Sequence, residues 1–158
     1  MEKSRRRLAL VITLALAAGP AVVGARSQDK GEFKTQSYSG KVQPLAPLLE
    51  KQGAKMDADV AEAWLALVAE DGKVYPLVKD DGSRMFFKDK SLLNRPMRLT
   101  GRVVGDTPFL QVVTVQSVIK GKLHDVYYWC DVCAIRIFEP GSCPCCGDPV
   151  VLKEEAVK

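Results

Sequence analysis

Alternating apolar and polar residues in the second half of the chain predict β-strands. Residues 97–104 alternate with a period of two, and residues 109–119 carry a long β-branched run after the turn signal Gly105-Asp106. Successive side chains of a strand point to opposite faces, so such alternation indicates one face packed on a core and one facing solvent. We therefore predict two long strands joined by a hairpin turn.

The stretch 57–69 fits two patterns. Its apolar residues lie at helical spacing, whereas residues 64–68 also fit a buried strand. The hairpin signal at 70–73, followed by the apolar segment 74–78, favours the strand. Pro76 then predicts an edge strand or a bulge, because proline has no N–H to donate to a neighbouring strand.

Short segments separated by turn residues make up the rest of the predicted fold. We expect a strand at 40–44, a helix at 45–52 with Pro47 in its first turn, a strand at 84–87 and a helical turn at 91–95 ended by Pro96. Five or six short strands with hairpin signals are typical of a small closed β-barrel. The predicted fold class is therefore mostly β, with short helices.

Residues 98–104 (RLTGRVV) and 110–118 (LQVVTVQSV) resemble the late strands of OB-fold proteins, in which a strand containing glycine and a long partner close the barrel. The resemblance implies an OB-like barrel domain over 39–123. In that family the exposed barrel face commonly binds oligonucleotides or sugars. No outward ladder of aromatic rings is evident here, and we expect four aromatic residues to pack in the core instead: Tyr75, Phe86, Phe87 and Phe109.

The first 25 residues have the three parts of a secretory signal peptide. A basic start precedes the apolar run 8–18 and the small residues 23–25. We expect cleavage after residue 25, since Gly19-Pro20 interrupts the helix that a membrane span would need. The alternative is an uncleaved signal anchor. The protein is thus predicted to be exported, periplasmic or secreted, with a membrane partner only if the leader is retained.

The leader also carries most of the positive charge of the chain. The chain has 23 Lys and Arg, 19 Asp and Glu and a formal net charge of +4, and residues 1–25 hold four of the basic and one of the acidic residues. The remainder is close to neutral, so charge does not support a nucleic-acid partner. Residues 26–38 are polar and predict a flexible tether, with the folded part beginning near Ser39.

All five cysteines lie between positions 130 and 146. Cys130 and Cys133 form one CxxC pair, and Cys143 and Cys146 form another. A tetrahedral ion needs four soft ligands that converge from two directions, and each CxxC turn supplies two sulfurs. The spacing therefore predicts a four-thiolate metal site.

Residues 127–154 resemble zinc ribbons and the rubredoxin-like modules of some redox proteins, which build CxxC and CPxCG knuckles on hairpins. The resemblance implies such a module over 124–153, a tail at 154–158, and the same four cysteines as ligands. It also implies that Gly147 gives the backbone room to turn its amides towards sulfur. Ala134 departs from the pattern, since many first knuckles have glycine there.

Zinc is the expected metal and iron is the alternative. Four thiolates accept both, but only iron cycles between two oxidation states and transfers an electron. Aromatic residues near the knuckles either form the shell of a rubredoxin-like site or pack the module against the barrel: Tyr127, Tyr128, Trp129 and Phe138.

Cys145 is either a spare thiol or an alternative ligand. As a ligand it would form a CxC pair with Cys143, and the closer spacing of these two sulfurs fits a single ion less naturally than a CxxC pair does. Two disulfides would be the rival in an oxidising compartment, although the closely spaced cysteines would strain them. The segment 129–133 (WCDVC) also imitates the thioredoxin motif, but too few residues follow it to complete that fold.

His124 and Tyr128 form an HxxxY segment after the predicted barrel. This segment is similar to the periplasmic haem chaperone of cytochrome c maturation, which implies a haem or metal contact; a surface or hinge histidine is the alternative. No catalytic constellation is visible in the sequence. We therefore predict a non-catalytic binding or scaffold protein at the cell envelope, with an unidentified protein or small ligand as its partner. Rubredoxin-like electron transfer and metal or haem delivery are the alternatives.

Overall fold

The computed structural model describes residues 34–57 and 61–157 of the chain. The predicted signal peptide and residues 26–33 of the predicted tether lie outside the described residues. Among the described residues, no helix has both the length and the apolar character needed to cross a membrane.

The described residues form a mostly β structure, as predicted, with two short α-helices and one 3₁₀ turn. The strands are β1 (Gln36–Pro44), β2 (Leu65–Ala69), β3 (Val74–Pro76), β4 (Pro96–Val103), β5 (Leu110–Ile119), β6 (Lys122–Cys130), β7 (Ile135–Ile137) and β8 (Val151–Ala156). The helices are α1 (Ala46–Glu50) and α2 (Arg84–Lys88), and the 3₁₀ turn is Lys90–Leu92.

The strands form one antiparallel sheet in the order β3-β2-β1-β4-β5-β6-β7, and β8 also pairs with β6. His124 of β6 lies opposite both Ser117 of β5 and Ala156 of β8, so these two strands flank β6. Further along β6, Tyr128 lies between β7 and β8. β6 therefore belongs both to the predicted barrel segment and to the cysteine-rich segment.

A parallel bridge connects the two ends of the first five strands. Leu77, just after β3, lies opposite Leu110 at the start of β5, and the backbone N–H of Val78 donates to the Leu110 carbonyl oxygen at 3.0 Å. A bulge also bends β5, because Val113 is an extra residue between Val112 and Thr114, which pair with the consecutive residues Gly101 and Thr100 of β4. A Cβ at position 101 would lie 2.2 Å from the carbonyl oxygen of Gln111, so only glycine fits this close approach.

The strands and α2 together supply the hydrophobic core. Met85 and Phe86 of α2 are fully buried, and Tyr75 and Phe87 pack against the same core at partial exposure. The remaining buried residues come mainly from the strands: Val42, Leu65, Leu67, Leu77, Leu92, Met97, Leu99, Leu110, Val112, Val115, Val126 and Tyr128.

The hairpin of β2 and β3 confirms the strand predicted from residue 64, and β3 is the end strand of the sheet order, as Pro76 predicted. The helix with Pro47 in its first turn is also confirmed, although it is shorter than expected. The helical turn predicted at 91–95 appears one residue earlier, as the 3₁₀ turn.

The strand predicted at 84–87 is wrong, because Arg84–Lys88 is helical. A run of three apolar residues carries no period of two, and a single helical turn places Met85 and Phe86 together in the core.

Two boundaries also differ from the prediction. β1 begins at Gln36, inside the predicted tether, because Gln36, Ser37 and Tyr38 pair with β4. β8 runs to Ala156, so most of the predicted tail pairs with β6.

Candidate metal centre

β6 and β7 build the first knuckle, which consists of residues 130–134. Cys130 is the last residue of β6 and lies opposite Ile135, the first residue of β7. Between them, the backbone N–H of Cys133 donates to the Cys130 sulfur at 3.4 Å, and that of Ala134 donates to the Cys130 carbonyl oxygen at 2.9 Å. The hairpin therefore fixes the direction in which the first pair of sulfurs points.

The second knuckle, residues 143–147, lies in the loop before β8. The backbone N–H of Cys143 donates to the Asp148 carbonyl oxygen at 2.7 Å, and that of Gly147 donates to the Cys143 carbonyl oxygen at 2.9 Å. A bridge between Ser142 and Pro149 closes the base of this loop. The two knuckles thus share one backbone arrangement, although their flanking structures differ.

The structure brings together the four cysteines of the two CxxC pairs. Their Sγ atoms all lie within 4.8 Å of one another, and those of Cys130 and Cys146 are 3.5 Å apart. Sulfurs around a tetrahedral zinc at Zn–S distances of 2.3 Å would be separated by about 3.8 Å. All five cysteines of the chain are free thiols. The group of four therefore has the donor atoms and the dimensions to hold one metal ion.

Burial differs among the four sulfur-bearing residues. Cys130 and Cys143 are buried, Cys133 is half-buried and Cys146 is exposed. One side of the group therefore faces the protein and the other faces solvent.

Backbone amides favour the thiolate form of one cysteine. The N–H of Cys146, and then that of Cys145, point at the Cys143 sulfur and lower the pKa of this thiol to about 7. In contrast, the neighbouring thiols of Cys145 and Cys146 raise the pKa of Cys133. Since the thiolate is the form that binds a metal, the second knuckle is partly prepared for binding by its own backbone.

No family model, curated protein or solved structure matches the chain. The function is therefore inferred from the geometry of this site and from the strands that carry it.

Cys145 is exposed and lies outside the group of four. Its thiol nevertheless neighbours Cys133, whose pKa it raises more than any other group does. The structure thus presents Cys145 as an accessible thiol at the edge of the site.

His124 and Tyr128 do not form a common site. Both side chains lie on the same face of β6, but they are four positions apart along the strand, a distance of about 13 Å. Tyr128 is buried and donates its hydroxyl to Asp89 Oδ2 at 2.6 Å, whereas His124 Nδ1 lies 3.1 Å from the Lys122 carbonyl oxygen. The tyrosine hydroxyl is therefore already engaged within the core.

The predicted aromatic residues connect strands. On the outer face, Tyr127 contacts the Trp129 ring, donates its hydroxyl to Glu155 at 2.9 Å, and lies under the guanidinium of Arg136 at 4.1 Å from the ring centroid. These contacts join β6, β7 and β8. Phe138 is half exposed on the same side of the molecule.

Sequence reasoning missed the ion pairs that hold the cysteine-rich segment to the rest of the fold. Lys88 of α2 pairs with Glu139 at 2.6 Å, and Arg84 pairs with the same carboxylate at 3.8 Å. Arg95 pairs with Glu154 of β8. These partners are far apart in the sequence, and no local pattern signals such pairs.

Proposed function

We propose that the chain is an exported zinc-binding protein whose metal is structural and which acts as a non-catalytic binding or scaffold protein at the cell envelope. The observation that carries the proposal is the group of four thiols within 4.8 Å of one another. Four protein ligands complete a tetrahedral zinc, so no position stays open for a substrate or for water. Such a site supports a fold and supplies no hydrolytic chemistry.

The position of the thiols explains what the metal would do. Cys130 ends β6, while the second knuckle precedes β8, which pairs with the same strand. A shared ion would tie the β6–β7 turn to the loop that leads into β8. Because β7 has only three residues and the second knuckle lies in a loop, metal binding would supply much of the folding free energy of this region.

An OB-like barrel is the proposed binding module. Two observations support it: the antiparallel order β3-β2-β1-β4-β5 and the parallel bridge that brings Leu77 against Leu110. The bridge brings the residue after β3 against the first residue of β5, and α2 lies between β3 and β4 along the chain. Since Phe86 is buried and Tyr75, Phe87 and Phe109 are half-buried, these rings do not offer a stacking platform for bases. A protein or a small ligand is therefore the proposed partner.

Export is proposed from the leader sequence at 1–25, which has the composition of a signal peptide. If the leader is cleaved, the protein would be periplasmic or secreted. If the leader is retained, the protein would be anchored to the membrane.

Rubredoxin-like electron transfer by iron is the second candidate. Cys146 is exposed, and Val132 at the tip of the first knuckle is 68% exposed. An apolar, accessible knuckle would let a redox partner approach close to the metal. Metal or haem delivery through His124 has less support, because the Tyr128 hydroxyl is bound to Asp89.

The first experiment is the native intact mass of the protein purified from the host that exports it, with the metal identified from the same sample. One zinc per chain supports the proposal, and one iron with the visible absorbance of ferric thiolate favours electron transfer. A metal-free chain lighter by the hydrogens of two disulfides would refute both. The mass also reports whether residues 1–25 have been removed.

A further inference from the structure

β8 presents an unpaired backbone edge. It pairs with β6 along one side, and no other strand among residues 34–57 and 61–157 pairs with it. The N–H of Val157 donates to the Leu123 carbonyl oxygen at 3.0 Å, so the odd-numbered residues of this segment direct their backbone groups to β6. The even-numbered residues Leu152, Glu154 and Ala156 therefore direct theirs outward, since hydrogen-bonding direction alternates in antiparallel strands.

The sequence of this segment is complementary to its own antiparallel copy. When two copies are aligned with Glu154 opposite Glu154, Lys153 of each copy lies opposite Glu155 of the other. The same alignment places Val151 opposite Val157, and these side chains are 50% and 46% exposed in the single chain. Opposite charges and apolar pairs directly across an antiparallel ladder stabilise it.

The hydrogen-bonding pattern fits the same register. An antiparallel pair exchanges two hydrogen bonds at every second residue. With Glu154 at the centre, the exchanging positions are Glu154 with itself and Leu152 with Ala156, and these are the three residues whose backbone groups point outward. A shift of the register by one residue would lose both the hydrogen bonds and the charge pairs.

We propose that β8 is a dimerisation edge at which a second copy of this chain adds its own β8 antiparallel, centred on Glu154. The two sheets then continue through a two-fold axis, an arrangement in which one surface serves both partners. The proposal is independent of which metal the cysteines hold.

The charges at the centre are compatible with this contact. Glu154 is ion-paired with Arg95 of its own chain, so two neutralised pairs meet at the axis. Glu155 accepts from Tyr127 and Arg136 through Oε2 only, so its Oε1 takes part in neither bond. That oxygen is available to Lys153 of a second copy.

An opposite interpretation exists, since charged residues on an edge strand also keep sheets apart. Lys153, Glu154 and Glu155 would then protect β8 from association, and the protein would stay monomeric. Pairing a single short strand buries less surface than a stable dimer needs, so we expect a weak dimer that forms as concentration rises.

Sedimentation velocity of the purified metal-loaded protein over a range of concentrations tests the proposal. Lys153→Glu and Glu155→Lys should each weaken self-association by about tenfold, because two attractive cross-strand pairs become repulsive. An equimolar mixture of the two variants should associate again, since every Glu then faces a Lys. Lys55→Glu, which changes an exposed lysine away from β8, should leave the dimer intact.

Ala156→Pro keeps the test decisive if Glu155→Lys disturbs the contacts of Tyr127. It removes an N–H that points away from β6, which an edge strand tolerates, and should abolish the dimer while circular dichroism stays unchanged. A protein that remains monomeric at every concentration refutes the proposal. So does a dimer that survives Ala156→Pro, or a variant mixture that associates no better than its components.

Discussion

Ala134 and Gly147 occupy equivalent positions in the two knuckles. Each follows the second cysteine of its pair, and each has a positive φ, 54° for Ala134 and 82° for Gly147. Each also donates its N–H to the carbonyl oxygen of the first cysteine at 2.9 Å. One knuckle therefore has the residue that this conformation favours, and the other holds an alanine in a left-handed conformation.

Substitutions at these two positions should have opposite effects. Ala134→Gly should stabilise the protein by about 1 kcal/mol, because glycine adopts positive φ without a steric penalty, and Gly147→Ala should destabilise it by a similar amount. Urea denaturation of the metal-loaded protein measures both. Ala54→Gly, at an exposed site without positive φ, is the control and should not stabilise. Destabilisation by Ala134→Gly would contradict the argument.

The cysteines should divide into four that hold the metal and one that does not. Cys130→Ser and Cys146→Ser should lower bound metal to a small fraction of one per chain and remove the near-ultraviolet circular dichroism of Trp129, since folding of the region depends on the ion. Cys145→Ser is the matched control and should keep both signals. Metal content and spectra are measured on the same samples. Full metal in Cys130→Ser, or loss in Cys145→Ser, would assign the ligands differently.

The grouping of the four thiols was predictable because each CxxC turn is local and its spacing is enough to bring two sulfurs together. The hairpin of β2 and β3 was predictable for a similar reason, since Asp71-Gly72 marks a turn and Gly72 has the positive φ that the turn requires. The ligand roles and the identity of the metal stay predictions, because spacing says nothing about which ion is bound.

Features that depend on distant partners were not predictable. Gln36–Tyr38 looks like a polar tether in the sequence but pairs with Leu99–Gly101 of β4. Tyr127, Tyr128 and Trp129 break the alternation expected of β6 because both faces of this strand are covered at its end. Tyr127 lies under Arg136, and Tyr128 reaches Asp89 through the core.

Tyr128→Phe should destabilise the protein by about 1.5 kcal/mol at neutral pH, because it removes a hydrogen bond to a carboxylate. Burial and the bond to Asp89 raise the pKa of Tyr128. Burial also raises the pKa of the Asp89 carboxyl, but hydrogen bonds from Ser91 and Tyr128 outweigh this and leave it below its usual value.

The two shifts act at opposite ends of the pH scale. The contribution of Tyr128 is complete below its unfolded pKa of about 10 and is lost as pH rises towards its folded pKa. The contribution of Asp89 is complete above its unfolded pKa of about 4 and is lost as pH falls towards its folded pKa. Urea midpoints between pH 3 and 11 should therefore vary less in Tyr128→Phe than in the parent. A parallel displacement of the whole curve in Tyr128→Phe would contradict this account.

The Arg95–Glu154 pair should matter more to stability than a surface ion pair of similar chemistry. Its side chains are 30% and 23% exposed, whereas those of Lys90 and Glu62 are 77% and 76% exposed at a separation of 3.0 Å. Arg95→Met leaves a half-buried carboxylate without its partner and should cost about 1 to 2 kcal/mol. Lys90→Met should cost less than about 0.5 kcal/mol, since solvent screens an exposed pair. Urea denaturation in low and high salt, at protein concentrations too low for self-association, separates the two effects. The Lys90 pair should lose its small contribution in high salt, and the Arg95 pair should keep most of its own. Equal costs for the two variants would mean that Arg95 does not hold β8 to the rest of the sheet.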